Sequence, residues 1–272
     1  MAESSRRIEE PLARALSLAR EALEAAPAGL LTDFDGTLSP IVTDPALARI
    51  VDGADGALTR LTERLAIVAI VTGRAPFDAR AMTGVTGLLV AGNHGTEWLE
   101  PHAAETHADV DADPIRARLD LVLARLPHLD GVPIEHKGIS ASVHYRNAAD
   151  PVAARAAILA SLGDVAPLGI ELRHGRMSVE LRASGVGDKG TAARAIVERF
   201  GLRGVVVMGD DVTDLDMFRA VAELRASGRV RAAIVGVGGE GGEVPAEVAD
   251  AADVLLTDPA EAAVLLDALA DG

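Results

Sequence analysis

Cysteine is absent from the chain of 272 residues. Disulfides and thiolate metal sites are therefore excluded, and a reducing compartment is expected. Aromatic residues are scarce, with one Trp, one Tyr and four Phe, so a sugar platform built from several stacked rings is excluded. Lysine is scarcer than arginine to an unusual degree: Lys137 and Lys189 stand alone among 26 basic residues. Lysine is a compact point charge and arginine a broad fork, so a site that needs the former does not easily accept the latter. No apolar run is long enough to span a bilayer. The N-terminal stretch MAESSRRIEEPLARALSLAREALEAA spreads Glu and Arg through an amphipathic helix pattern and lacks the continuous apolar stretch of a signal peptide. A cytoplasmic protein without a membrane partner is expected. The formal net charge of −15 disfavours nucleic acid, whose phosphates need a basic surface. An anionic substrate would require a cation and a local positive site.

What is present is an alternation of short apolar runs and helical patterns. LLTDF is a strand ending in a turn, and residues 53–64 are a helix candidate. AIVAIVTG (66–73) is a continuous apolar run suited to a strand buried on both faces. APFDARAM reads as a short helix and GLLVAG (87–92) as a third strand. GVVVMGDD (204–211), AAIVGVG (232–238) and ADVLLTDP (252–259) repeat the form after helical stretches, and EAAVLLDALAD closes the chain. Strand, helix and strand in series predict a doubly wound, Rossmann-like parallel sheet with helices on both faces. Ligands of such sheets bind beyond the C-terminal strand ends.

The middle of the chain departs from this pattern. DPIRARLDLVLARL has helical spacing at Ile115, Leu119, Val122 and Leu126, with Asp113 and Pro114 as cap and first turn. VPIEHKGISASVHYR then alternates, with Ile139, Ala141, Val143 and Tyr145 on one face and Ser140, Ser142, His144 and Arg146 on the other. Asp150 and Pro151 open a second helix. IELRHGRMSVELR turns around His174–Gly175 and alternates again. A small antiparallel sheet with helices on its apolar face follows. We expect an α/β fold with a core over 1–104 and 180–272 and an inserted α/β cap over 105–179, hinged near residues 101–107 and 182–187.

The chemistry lies at the strand ends. In DFDGT, Asp33 and Asp35 follow an apolar strand directly, where like charges repel and desolvation is costly. A divalent cation offsets that repulsion, and Mg²⁺ takes oxygen ligands from one or two carboxylates, substrate phosphate and water. Gly36 lets the chain bend so that backbone amides face a phosphate. GDDVTD adds Asp210, Asp211 and Asp214, of which Asp210, first past its strand, is the candidate third ligand. Thr72 in IVTGR and Lys189 in GDKGT are suited to holding phosphoryl oxygens.

This ordered set, DFDGT, Thr72, Lys189 and GDDVTD, resembles the haloacid dehalogenase-like phosphohydrolases. The resemblance implies Asp33 as a nucleophile that becomes an aspartyl-phosphate and Asp35 as the acid that protonates the leaving alcohol, then the base for water. It implies Thr72 and Lys189 on the phosphoryl oxygens. The metal ligands would be the Asp33 side chain, the Asp35 backbone carbonyl and Asp210, supported by Asp211 and Asp214. Together with TDP, AGNHG and SVHYR, the motifs resemble the trehalose-6-phosphate phosphatase family over residues 28–270. That family implies a Mg²⁺-dependent hydrolysis of trehalose 6-phosphate in trehalose biosynthesis. Gly36, Thr37, Gly73 and Arg74 would flank the phosphate. Asn93, His94 and Gly95 would border the sugar, and Lys137, His144, Arg146 and Glu180 would contribute from the cap. Members commonly carry Ser in place of Asn93 and Tyr in place of Phe34.

Two other readings compete. One is the same chemistry on a sucrose- or glycerate-linked phosphate. The other is an inactive module that binds sugar phosphates, against which the intact set Asp33, Asp35, Thr72, Lys189 and Asp210 argues, since binding needs no nucleophile. Association of the N-terminal helix with a trehalose-6-phosphate synthase is left open by the sequence.

Overall fold

The computed structural model describes residues 2–108, 111–175, 177–239 and 244–272, with side chains from residue 10 onward. The chain forms two compact units, Met1–His107 with Gly187–Gly272, and Ala108–Val186.

The first unit is built on strands β1 (Ala28–Thr32), β2 (Ile67–Val71), β3 (Leu89–Gly92), β4 (Glu97–Leu99) and β5 (Thr106–Ala108). Strands β10 (Gly204–Gly209), β11 (Arg231–Val237) and β12 (Val254–Leu256) complete it after the second unit, whose strands carry the numbers between. The order is β12-β11-β10-β1-β2-β3-β4-β5 among the described residues. All pairings from β12 to β3 are parallel, and β4 turns back antiparallel on β3. The strand β1 lies between β2, which follows it in the chain, and β10, which comes after the second unit. It therefore marks the switch point at which such sheets bind ligands.

Successive residues of each strand enter different cores, as a pleat requires. Leu30, Val68, Ile70, Val206 and Met208 pack on one side, among residues of α1 (Ala2–Leu23), α2 (Ala54–Arg64), α3 (Pro76–Thr83) and α9 (Pro259–Ala270). Leu31, Ala69, Val71, Val205 and Val207 pack on the other, against α6 (Lys189–Arg199), α7 (Leu215–Ala226) and α8 (Ala246–Ala251). The central strands β1, β2 and β10 have no polar face, which is why they read as uninterrupted apolar runs. The hairpin of β3 and β4 and the edge strand β5 were not legible: each later strand has only three residues, too few to show a period.

In the second unit α4 (Ala112–Leu123) and α5 (Pro151–Leu162) accompany β6 (Ile134–His136), β7 (Ser140–His144), β8 (Ile170–Gly175) and β9 (Ser178–Ala183). The sheet order is β6-β7-β9-β8, with antiparallel pairings. Ile139, Ala141, Val143, Tyr145, Val179 and Leu181 join Ile115, Leu119, Val122 and Ile158 in one core.

Three details depart from the sequence expectations. The second unit ends at Val186 rather than 179, because β9 pairs along its whole length with β7 and β8 and cannot be divided at residue 180. Asp111, not Asp113, caps α4, accepting from the Asp113 amide, since the helix starts two residues earlier. Strand β8 runs through His174 and Gly175, which pair with Val179 and Ser178, so the chain reverses only after Gly175. Among the described residues no helix is long and apolar enough to cross a membrane.

Leu30 is 1% exposed in the central strand. Leu30→Ala should lower the unfolding free energy of the first unit by about 2–5 kcal/mol. Urea denaturation followed by circular dichroism checks this, and an unchanged midpoint would contradict the assigned core.

Candidate active site

Three parallel strands end together. Thr32 of β1 pairs with Met208 of β10 and Ile70 of β2, so Asp33, Asp210 and Thr72 emerge side by side one or two residues later. The turn after β1 is pinned by Phe34, which is fully buried, and by Leu38 N and Ser39 N donating to Phe34 O at 2.9 and 3.0 Å. Gly36 has φ 80°. A Cβ there would stand 2.0 Å from Asp210 Oδ2, so only glycine lets the turn approach β10. Thr37 closes the contact, its hydroxyl donating to Asp210 Oδ1 at 3.0 Å.

Lys189 is the first residue of α6, whose cap Asp188 accepts from the Thr191 amide at 2.7 Å. Its ammonium, 2% exposed, lies 3.0 Å from Asp33 Oδ2 and 2.6 Å from Asp214 Oδ1. The other oxygen of Asp214 accepts from the amides of Asp210 and Asp211 at 3.0 and 3.1 Å. Oxygens of Asp33, Asp210 and Asp214 lie within 4.8 Å of one another. Asp33 Oδ1 is buried and has no hydrogen-bond partner.

The electrostatics follow from burial. Desolvation raises the Asp33 carboxyl to about 7; Lys189 opposes this, and Asp214 and Asp35 add to it. Asp210 is raised well above the usual carboxylate range by burial, then by Asp214 and Asp33. Burial alone would lower Lys189, but Asp214 and Asp33 overcome it and hold the ammonium above its ordinary value. Three crowded carboxylates thus share one buried positive charge. The site is short of positive charge, and an orphaned carboxylate oxygen faces into it.

That donor set fits a hard divalent cation, which takes oxygen ligands. Asp33 and Asp210 have oxygens to offer. Asp214 has both committed to Lys189 and to backbone amides, so its place is to hold the loop and the ammonium.

On the β2 side, Thr72 is 1% exposed and its hydroxyl accepts from Arg74 N at 3.3 Å. Arg74 grips Asp35 with both prongs, Nε to Oδ2 and Nη2 to Oδ1 at 2.6 Å each, and lies 5.4 Å above the Phe34 ring. Gly73 admits the His94 ring, whose Nε2 would be 2.6 Å from an added Cβ. Asn93 N donates to Arg74 O and His94 N to Thr72 O, both at 2.8 Å. Gly95 lies against Ala192 and the Asp188 carbonyl at the start of α6. Asp33, Asp35, Gly36, Thr37, Thr72, Gly73, Arg74, Asn93, His94, Gly95, Lys189, Asp210, Asp211 and Asp214 therefore belong to one connected neighbourhood.

Lys137, His144 and Glu180 form a cluster in the second unit, organised by Glu135. His144 Nε2 lies 2.9 Å and Lys137 Nζ 3.6 Å from Glu135 Oε2, and Lys137 lies 4.0 Å from Glu180. Arg146 lies two residues past the end of β7 and is partly buried.

The family model described as Trehalose-phosphatase matches residues 31–243, which contain this whole constellation. The chain belongs to the trehalose-phosphatase family. A curated relative, the trehalose-phosphate phosphatase of Mycobacterium avium, is 41% identical over 201 residues, 70% of this chain and 50% of that protein. The chain spans half or less of the length of the first curated relatives it matches. Among solved structures, the C-terminal domain of the Candida albicans trehalose-6-phosphate phosphatase has a TM-score of 0.76 at 23% identity, covering 94% of this chain and 96% of that one. The C-terminal domain of a Candida albicans trehalose synthase regulatory protein has a TM-score of 0.68 at 14% identity, covering 93% and 97%. At those identities both likenesses speak to the fold.

Sequence reasoning passed over Glu97, which holds Asn93, and Asp188, which caps α6. The D-x-x-T spacing before a helix pattern was a usable signal for Asp188. Nothing in the sequence signalled Glu97, because its partners are fixed by the turn and by β5.

The raised carboxylates set the pH response. Asp33 has a folded value above its unfolded one, so its contribution to stability is present at low pH and is lost as pH rises toward about 7. A divalent cation must displace that proton and gains affinity over the same interval. Mg²⁺ should therefore raise the melting temperature more at pH 7.5 than at pH 5.5. Thermal shift with Mg²⁺ at both values checks this, and an increment that does not grow with pH would speak against cation binding by these carboxylates.

Proposed function

We propose that this chain hydrolyses trehalose 6-phosphate to trehalose and inorganic phosphate through an aspartyl-phosphate, with Mg²⁺ as the cofactor. The observation that carries the reading is the buried constellation at the switch point, in which Lys189 bridges Asp33 and Asp214 while one oxygen of Asp33 has no partner. A nucleophile must be ionised, aimed and unencumbered on the attacking side. Lys189 supports the first two requirements by holding Oδ2, and the orphaned Oδ1 meets the third.

Asp33 Oδ1 attacks phosphorus, and the bond from phosphorus to the sugar oxygen breaks. Asp35 gives its proton to that oxygen, and trehalose leaves. Asp35 then takes a proton from water, whose oxygen attacks phosphorus. The bond to Asp33 breaks and phosphate is released. Arg74, bidentate on Asp35 in this structure, fixes the direction of that carboxyl, and one of its two bonds must open for an Asp35 oxygen to carry the proton given to the leaving group. The Thr72 hydroxyl and the Lys189 ammonium are suited to the phosphoryl oxygens. Asp33, Asp210 and the Asp35 carbonyl would hold Mg²⁺, which neutralises charge on the phosphoryl group when bound.

Support for the sugar comes from the family and from the second unit. We read that unit as the cap, with Lys137, His144, Arg146 and Glu180 as donors and acceptors for sugar hydroxyls. A sucrose- or glycerate-linked phosphate is the competing substrate.

Purified protein should release phosphate from trehalose 6-phosphate with Mg²⁺ and lose that activity in excess chelator. Asp33→Asn should reduce turnover by at least about 10³-fold, as loss of a covalent nucleophile does, without lowering the melting temperature. Phosphate release that persists in Asp33→Asn would refute the nucleophile, and a panel of sugar phosphates that favours another ester would refute the substrate.

A further inference from the structure

The carboxylates at the switch point differ in how many oxygens they have left. Asp214 has none, since Lys189 and two backbone amides take both. Asp33 has Oδ2 against the Lys189 ammonium at 3.0 Å, with Oδ1 unpartnered. Asp210 is tied from the turn after β1. Thr37 Oγ1 donates to Asp210 Oδ1 at 3.0 Å, a bond between residues 173 positions apart.

Thr37 is fully buried, and the turn that carries it is closed by Leu38 N and Ser39 N on Phe34 O. A hydroxyl has one proton to give. Once given to Asp210, that proton is not available to a phosphoryl oxygen, so the Thr37 side chain serves the carboxylate. Among the described residues Asp210 Oδ2 makes no hydrogen bond. It lies against Gly36, where an added Cβ would collide with it. The peptide that joins Asp35 to Gly36 carries the carbonyl expected to hold the cation. An oxygen of Asp210 also lies within 4.8 Å of one from Asp33. The untied oxygen of Asp210 thus sits on the side of the other oxygen donors.

A carboxylate with one oxygen committed can offer a cation only the other. That limit separates two common cations. Ca²⁺ takes about six to eight oxygens in a flexible geometry and accepts both oxygens of one carboxylate. Mg²⁺ is smaller, demands a near-octahedral shell and keeps several waters beside one or two carboxylates.

We propose that Thr37 is a positioning residue for the cation: its hydroxyl confines Asp210 to a single oxygen and so makes the site select Mg²⁺ over Ca²⁺. This rests on the Mg²⁺ reading of the site and deepens it. The Thr37 hydroxyl acts through Asp210 and touches neither the cation nor the phosphate.

The test is the affinity for each ion alone, measured by calorimetric titration at pH 7.5 without substrate. Parent protein should bind Mg²⁺ more tightly than Ca²⁺. Thr37→Val keeps the shape and removes the donor, which frees Asp210 Oδ1. The ratio of the Ca²⁺ Kd to the Mg²⁺ Kd should then fall about tenfold, the scale of one hydrogen bond to a charged group. Thr37→Ser keeps the hydroxyl, and its ratio should stay within about twofold of the parent's. A ratio that holds or rises in Thr37→Val overturns the inference; equal weakening for both ions, the mark of a merely structural role, is one such result. A fall in Thr37→Ser as large as that in Thr37→Val overturns it too. Circular dichroism checks that each variant is folded. Should Thr37→Val not fold, Thr37→Ala lacks the same donor and takes its place. Parent protein that binds Ca²⁺ as tightly as Mg²⁺ overturns the inference and leaves the cation site standing. Parent protein that binds neither ion overturns the cation reading and the inference together.

Discussion

The buried ammonium of Lys189 neutralises part of a charge cluster that could not otherwise be held inside a protein. Asp33, Asp210 and Asp214 approach within hydrogen-bonding range of a shared centre, and each would be costly to bury alone. The ammonium touches two of them and is itself almost fully enclosed. Removing the ammonium would leave the carboxylates uncompensated, a change that typically costs about 3–5 kcal/mol. Arginine would be a poor substitute, since its fork spreads charge over several atoms where this geometry needs one point. That requirement accounts for a lysine persisting here in a chain whose other basic residues are nearly all arginine.

The cluster depends in turn on how closely the backbone can pack around it. Gly36 lets the first turn close on Asp210, and Gly209 leaves room for Asp214, whose Cγ would be 2.5 Å from an added Cβ. Asp214 spends its two oxygens on fixed partners, joining α6 to the loop after β10. The remaining carboxylates are left with unsatisfied capacity at the one place where strand order reverses. A fully neutralised site would be more stable and would have nothing with which to hold a cation or attack phosphorus. In the proposed mechanism, that incomplete neutralisation is what leaves Asp33 and Asp210 able to hold a cation and Asp33 able to attack.

The second unit handles charge differently. Its polar cluster balances carboxylates with His144, Lys137 and Arg182 across adjacent strands, over a core of its own. In the proposed reading these paired groups are the donors and acceptors offered to sugar hydroxyls.

The sequence by itself determined the class of fold and the chemical vocabulary. Strands buried on both faces must be continuously apolar, so β1, β2, β10 and β11 announced themselves, as did the alternation of β7 and β9. DFDGT and GDDVTD were legible because acidic residues directly after apolar strands carry a desolvation cost that a chain does not otherwise bear. Tertiary structure alone decided the boundary of the second unit, since strand pairing across a sheet is non-local. It also decided that Asp214 serves Lys189, that Arg74 clamps Asp35, and that Glu97 holds Asn93. Those pairings join residues whose separation is set by strand register and turn strain, and no local pattern of residue types encodes a contact that exists only after the sheet has assembled.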